Sequence, residues 1–202
     1  LVLPPRLAPF QAVIVPIYRK DEEKAQVLEA ANAIKKTLTD AGVRVKLDDR
    51  DSLTPGFKFN DWELKGVPVR VEIGPKDIAN NTVALARRDR PGREGKSFVS
   101  QEGLGQTVVD LLAEIQQALH DKALAFRESK TRDVTDYDAF KEAVEEGFAR
   151  VWWAGSSDDE TRIKEETKAT LRCIPIAQPG GEGICFYTGK PATEQAIFAK
   201  SY

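Results

Sequence analysis

The chain has 202 residues, 41% hydrophobic and 31% charged, with a formal net charge of −2. This is ordinary globular composition at a length that supports one large domain or two small ones, and it excludes disorder as the global state. Two cysteines, Cys173 and Cys185, exclude a disulfide framework, and with no apolar run long enough to span a bilayer and no signal-peptide pattern at Leu1 the expectation is a cytoplasmic protein without a membrane partner.

The charge is uneven. Residues 9–100 carry 17 basic against 14 acidic side chains (+3), and residues 101–202 carry 12 against 18 (−6). A mildly basic front half suits a polyanion; solvated surface charge is the plain alternative. There is no methionine, and the opening LVLPPRLAPF has no helix or strand pattern, so the native start is expected upstream.

In chain order, Ala12 to Tyr18 (AVIVPIY) is a short branched apolar run that reads as a buried strand. The following periodic positions Val27, Leu28, Ala31, Ile34 and Leu38 predict an amphipathic helix ended at Gly42, with a second strand in VRVKLDD. DRDSLTPGFKF then reads as a loop with a Pro55-Gly56 turn, and Asn60 to Lys65 as a short helix stopped by Gly66. In VPVRVEIG, Val67, Val69, Val71 and Ile73 alternate with Pro68, Arg70 and Glu72, which predicts a strand with branched residues on one face and charges on the other. TVALARRD and KSFVS are two more strands joined by RPGREG, and Val108, Leu111, Leu112, Ile115 and Leu119 mark a long helix reaching Arg127.

The hydrophilic RESKTRDVTD reads as a connection between domains. Beyond it come a helix over Tyr137 to Gly147, a strand in FARVWWAG, a helix over Asp158 to Thr170, and strands in LRCIPI, GICFY and QAIFAKSY. The fold class is therefore α/β: a mixed sheet of about five strands with about three helices, then a small α+β domain.

Several motifs have plain readings. GREGKS lacks the earlier glycine and the following helix of a phosphate-binding loop, so it reads as a hairpin loop. His120, the only histidine, lies on the long helix with no nucleophile signature nearby. Cys173, Cys185 and His120 are too few for a structural zinc site, which needs four ligands. GPKD either opens a helix, with Lys76 in its first turn and projecting toward an anion, or is a simple turn with a solvated lysine.

The run DDRDSLTPGFKFNDWELKGVPVRVEIGPKD resembles the anticodon-binding domain of prolyl-tRNA synthetases of the archaeal and eukaryotic-like branch. LVLPPRLAP is similar to the stretch after their last class II catalytic motif, and IFAKSY to their C-terminus. The resemblance implies residues 1–9 as the end of a catalytic domain or linker, 10–127 as a class II synthetase anticodon-binding fold, and 128–202 as a small α+β C-terminal domain. It implies tRNA(Pro) as partner, with Glu63, Arg70 and Lys76 reading the two anticodon guanines. Phe57 or Phe59 is a candidate stacking face. The resemblance further implies an upstream catalytic domain using ATP and Mg, a homodimeric full-length enzyme, and a terminal Tyr202 carboxylate directed at the catalytic domain; the fragment itself is expected to have no catalytic residues and no cofactor. Relatives often carry a four-cysteine zinc site in the C-terminal domain. Here Trp153-Ala154-Gly155 and Cys185-Phe186-Tyr187-Thr188-Gly189 keep only Cys185 of that set, so the domain is expected to fold without metal. A synthetase-like accessory or protein-interaction module that has lost RNA reading is the alternative of a different class.

Overall fold

A computed structural model of the chain describes residues 1–90 and 92–200. It resolves into two compact units, one over Leu1–Asp121 and one from Lys122 onward.

The first unit begins with β1 (Ala12–Pro16), α1 (Asp21–Asp40) and β2 (Val45–Leu47). Then come α2 (Pro55–Leu64), β3 (Val69–Ile73), α3 (Pro75–Ala79), β4 (Thr82–Arg87), β5 (Lys96–Ser100) and α4 (Leu104–Ser129), whose residues from Lys122 on belong to the second unit. The strands form one sheet in the order β2-β1-β3-β4-β5. β1 runs parallel to β2 and β3, while β3, β4 and β5 pair antiparallel. α1 ends where Gly42 adopts φ 81, a left-handed conformation that costs a side-chain-bearing residue more.

One face of the sheet, with Ile14, Val69, Val71, Ile73, Val83 and Leu85, packs against Val27, Ala31, Ile34 and Leu38 of α1 and Leu104, Val108, Leu112 and Ile115 of α4. Each fully buried branched side chain there contributes about 1.5–3 kcal/mol. From Asp121 to the end of α4 the helix is exposed, including His120's neighbour Asp121, whose Oδ1 lies 3.3 Å from His120 Nδ1. On the opposite sheet face Val13 and Val15 pack under Trp62 of α2 and Val67.

Two local expectations in this unit need correction. Val67 does not share the face of Val69, Val71 and Ile73: it precedes β3, just after the Gly66 turn (φ 74), and turns toward Trp62. Pro55-Gly56 is not a turn. Pro55 is the first residue of α2, because Thr54 caps the helix by accepting a hydrogen bond from Phe57 N–H at 3.3 Å. Of the two GPKD readings, the helix is the one adopted, with Gly74 N–H donating to Asp77 Oδ2 at 2.9 Å. GREGKS leads from a short 3-10 turn (Gly92–Gly95) directly into β5, as a hairpin loop does.

The second unit contains β6 (Thr131–Asp133), α5 (Tyr137–Glu146), β7 (Phe148–Trp153), α6 (Ser157–Thr167), β8 (Ala169–Cys173), β9 (Gly183–Ile184), β10 (Pro191–Ala192) and β11 (Glu194–Lys200). Its main sheet has the order β6-β7-β11-β8, and β9 and β10 form a small ribbon. RESKTRDVTD is therefore not only a connection. Its centre is β6, paired parallel to β7 and tied by Arg150 to Asp133 through contacts of 2.6 and 2.8 Å. The core is aromatic, with Phe140 4.6 Å from Phe186 and 5.5 Å from Phe198, ring centre to ring centre.

Cys185 is buried in this unit, and its backbone forms a tight turn in which its carbonyl accepts from Gly189 N–H at 3.0 Å. Burial pushes its thiol up, but hydrogen bonds from the Thr188 hydroxyl and from the backbone at Thr188, Ala154 and Tyr187 outweigh burial and hold it below the usual range. The positions where the resemblance places further cysteines thus do meet Cys185, as Ala154 and Thr188, neither of which supplies a thiolate. These residues do not fit a zinc site. Among the described residues no group of three or more His, Cys, Asp or Glu side chains is arranged to hold a metal ion. Metal analysis of purified, chelator-washed protein should find zinc far below one equivalent; a value near one equivalent contradicts the geometry.

Candidate nucleic-acid interface

The interface is built on the sheet face that α2 covers only over β1. Alternation along β3 puts Arg70 and Glu72 on this face. Register then decides their neighbours: Arg70 lies opposite Ala86 and Ala86 opposite Lys96, while Glu72 lies opposite Ala84 and Ala84 opposite Phe98. The two alanines leave room above β4 for the long side chains on either side.

These side chains form one connected ion network. Arg70 Nη1 donates to Glu63 Oε1 at 3.1 Å, and Arg70 Nε donates to Glu72 Oε1 at 3.1 Å. Arg88 Nη1 lies 3.3 Å from Glu63 Oε2, and Lys96 Nζ donates to Glu72 Oε2 at 2.8 Å. Three cations thus face two carboxylates. The guanidinium of Arg70 also lies 3.8 Å from the Phe59 ring centre. Arg88 Nε is buried without a hydrogen-bond partner, the kind of unsatisfied position that functional sites retain.

The network explains most of the charges around β3. Glu72 is 5% exposed and holds Arg70 and Lys96 in place. Glu63 is more open, its side chain 35% exposed. Each of its oxygens receives one arginine, which leaves a further acceptor direction on each for an outside donor. A carboxylate so held is a preorganised acceptor for the N1–H and N2–H₂ donors of a guanine edge.

α2, which carries Glu63, is fixed from below. Trp62 Nε1 donates to Asp48 Oδ2 at 2.8 Å, Arg50 binds Asp48 through contacts of 2.8 and 2.7 Å, and Arg50 also reaches Asp61 at 2.7 Å. Burial pushes the Asp48 carboxyl up, but Arg50 and Trp62 more than offset it and hold its pKa at about 2.

Of the residues singled out in the sequence, Glu63 and Arg70 are in direct contact. Lys76 is exposed on α3 and borders the same face as Glu72 and Lys96. Phe59 packs against the Trp62 cluster, beneath Arg70. Phe57 is 55% exposed on α2. Tyr202 lies outside the described residues. Sequence reading missed Arg88, Lys96 and Phe98; alternation in ALARR and KSF groups them within their own strands, and strand register brings them to this face.

The family model described as "Anticodon binding domain" matches residues 11–98, the span that contains the network. The model described as "Prolyl-tRNA synthetase, C-terminal" matches residues 137–202. The two matches cover separate stretches of the chain, one in its front part and one in its back part. Three relatives match along the whole of this chain. The proline–tRNA ligase of Roseiflexus castenholzii is 63% identical over 203 residues, covering 100% of this chain and 42% of the relative. The chloroplastic/mitochondrial proline–tRNA ligase of Arabidopsis thaliana is 54% identical over 206 residues, covering 100% of this chain and 38% of the relative. That of Porphyromonas gingivalis is 47% identical over 203 residues, covering 100% and 41%. The chain spans about two fifths of the length of the curated relatives it matches. Among the described residues no helix is long and apolar enough to cross a membrane.

Proposed function

We propose that this chain reads the anticodon of tRNA(Pro) as the C-terminal part of a proline–tRNA ligase. The observation that carries the proposal is the Glu63–Arg70–Arg88 pairing on an accessible sheet face of an anticodon-binding domain. Proline anticodons present two guanines; a carboxylate accepts from their Watson–Crick donors, and Arg or Lys donates to O6 or N7. Such contacts require unstacked loop bases, the usual target of sequence-specific RNA recognition.

In this reading Glu63 and Arg70 contact the guanines directly, and Lys76 supplies a further donor or meets a neighbouring phosphate. ATP and Mg serve the catalytic domain of the whole enzyme, which activates proline and transfers it to the tRNA. The other partners are that catalytic domain, with the Tyr202 carboxylate directed toward it, and a second copy of the full-length enzyme. The test is binding of tRNA(Pro) against a variant with both anticodon guanines changed, at one fixed salt concentration, because backbone contacts alone vary with salt. Tighter binding of tRNA(Pro) is expected. Equal affinity overturns base reading and leaves an interaction module.

A further inference from the structure

Beside the ion network, the same sheet face holds a basin of about 520 Å³, bordered by Glu72, Lys76, Asp77, Ala84, Lys96 and Phe98. Phe98 is the outermost of these, on edge strand β5, and it is 69% exposed. Packing accounts for the opposite face of β5, where Val99 joins the main core, but it gives no reason for a large aromatic at position 98. The floor next to Phe98 is Ala84, its cross-strand partner, so on that side the ring stands beside an open space. Two lysines flank that space. Lys96 Nζ lies 5.6 Å from the Phe98 ring centre and is anchored by Glu72, and Lys76 is exposed on α3.

We propose that Phe98 is the stacking shelf for one of the three anticodon bases, with Lys76 and Lys96 meeting the backbone phosphates beside it. The inference rests on the anticodon-reading assignment and adds a contact to it. An exposed ring supplies the planar surface that every base can use, and adjacent cations track the phosphate chain. The shelf therefore contributes affinity at one nucleotide, whereas Glu63 and Arg70 contribute the choice of base.

The full chain and three variants, Phe98→Ala, Phe98→Leu and Phe98→Trp, are titrated with tRNA(Pro), with the anticodon-changed tRNA, and with three tRNA(Pro) molecules each lacking one anticodon base. Phe98→Ala is expected to weaken tRNA(Pro) binding by about 5- to 150-fold, the range for loss of one base–aromatic stack. Phe98→Trp restores binding and Phe98→Leu does not, because the ring face and not the volume is used. The Phe98→Ala penalty disappears on one of the base-deleted RNAs only. All variants melt with the parent, since the side chain is exposed. Unchanged affinity in Phe98→Ala, full rescue by Phe98→Leu, or an equal penalty on every base-deleted RNA overturns the shelf while the parent's discrimination between the two tRNAs keeps anticodon reading intact. Failure of the parent to discriminate overturns the reading itself, and the shelf with it.

Discussion

Asp48→Ala is expected to destabilise the first unit by about 3 kcal/mol and to weaken tRNA binding without touching RNA. The side chain is 1% exposed and accepts from both Arg50 and Trp62. Removing it leaves the buried Trp62 N–H without a partner, which costs about 1–3 kcal/mol, and also deletes a bidentate charge-assisted pair. Arg50 keeps Asp61 and is 40% exposed, so it is not stranded. The larger part of the loss therefore comes from the indole. Asp48→Asn, which keeps an acceptor for Trp62 but loses the charge, should cost less than Asp48→Ala. Chemical denaturation of the three proteins at neutral pH checks this order, and equal stability of Asp48→Ala and the parent would dismiss the Asp48–Trp62 lock as a stabilising element.

The same carboxylate gives an acid signature. Its folded pKa of about 2 lies below the ordinary aspartate value of 3.8, so the folded state favours the ionised form. That stability is fully present above pH 3.8 and is lost as pH falls through 2. A depression of this size corresponds to about 2 kcal/mol. The difference in stability between parent and Asp48→Asn should therefore shrink between pH 5 and pH 2. Other depressed carboxylates, such as Asp89 and Asp133, titrate in both proteins and cancel in that difference.

How far this was legible in the sequence depends on the range of the interaction. The amphipathic faces of α1 and α4 follow from 3.6-residue periodicity, and the charges of β3 from alternation, because both are set by residues a few positions apart. The Glu63–Arg70 pair was within reach since it spans one turn and half a strand. Lys96 on Glu72, and Phe98 beside Ala84, depend on the register of three strands, which the local pattern does not specify. Val67 was misplaced because alternation was carried one step past the strand's beginning, into the Gly66 turn. Thr54-Pro55 was legible in principle as a cap followed by an N1 proline, but the adjoining glycine drew the reading to a turn. β6 escaped notice because three residues with two charges carry too little apolar signal for a strand whose partner, β7, lies beyond a helix. The departure from the zinc ligand set was readable at once, whereas the hydrogen-bonded thiol that takes its place is a property of the folded turn.

Arg70→Ala is the substitution with the largest expected effect on recognition, and its structural and reading roles separate cleanly. Arg70 is 15% exposed at its side chain, sits against Phe59, and bridges Glu63 to Glu72. Its loss leaves the buried Glu72 with Lys96 alone and Glu63 with Arg88 alone, so stability should fall by about 1–3 kcal/mol. That loss concerns the free protein and affects the binding of every tRNA alike. If Arg70 also donates a bidentate pair to a guanine, discrimination between tRNA(Pro) and the anticodon-changed tRNA should drop by about 1–3 kcal/mol in addition. Arg70→Lys divides the two effects. It retains a cation for Glu63 and Glu72 but lacks the fork, so it should recover much of the stability and little of the discrimination. Titration of both variants with both tRNAs, beside their denaturation curves, gives the two quantities independently. A discrimination ratio unchanged in Arg70→Ala, together with the expected loss of stability, would assign Arg70 to charge neutralisation only and leave Glu63 and the lysines as the readers.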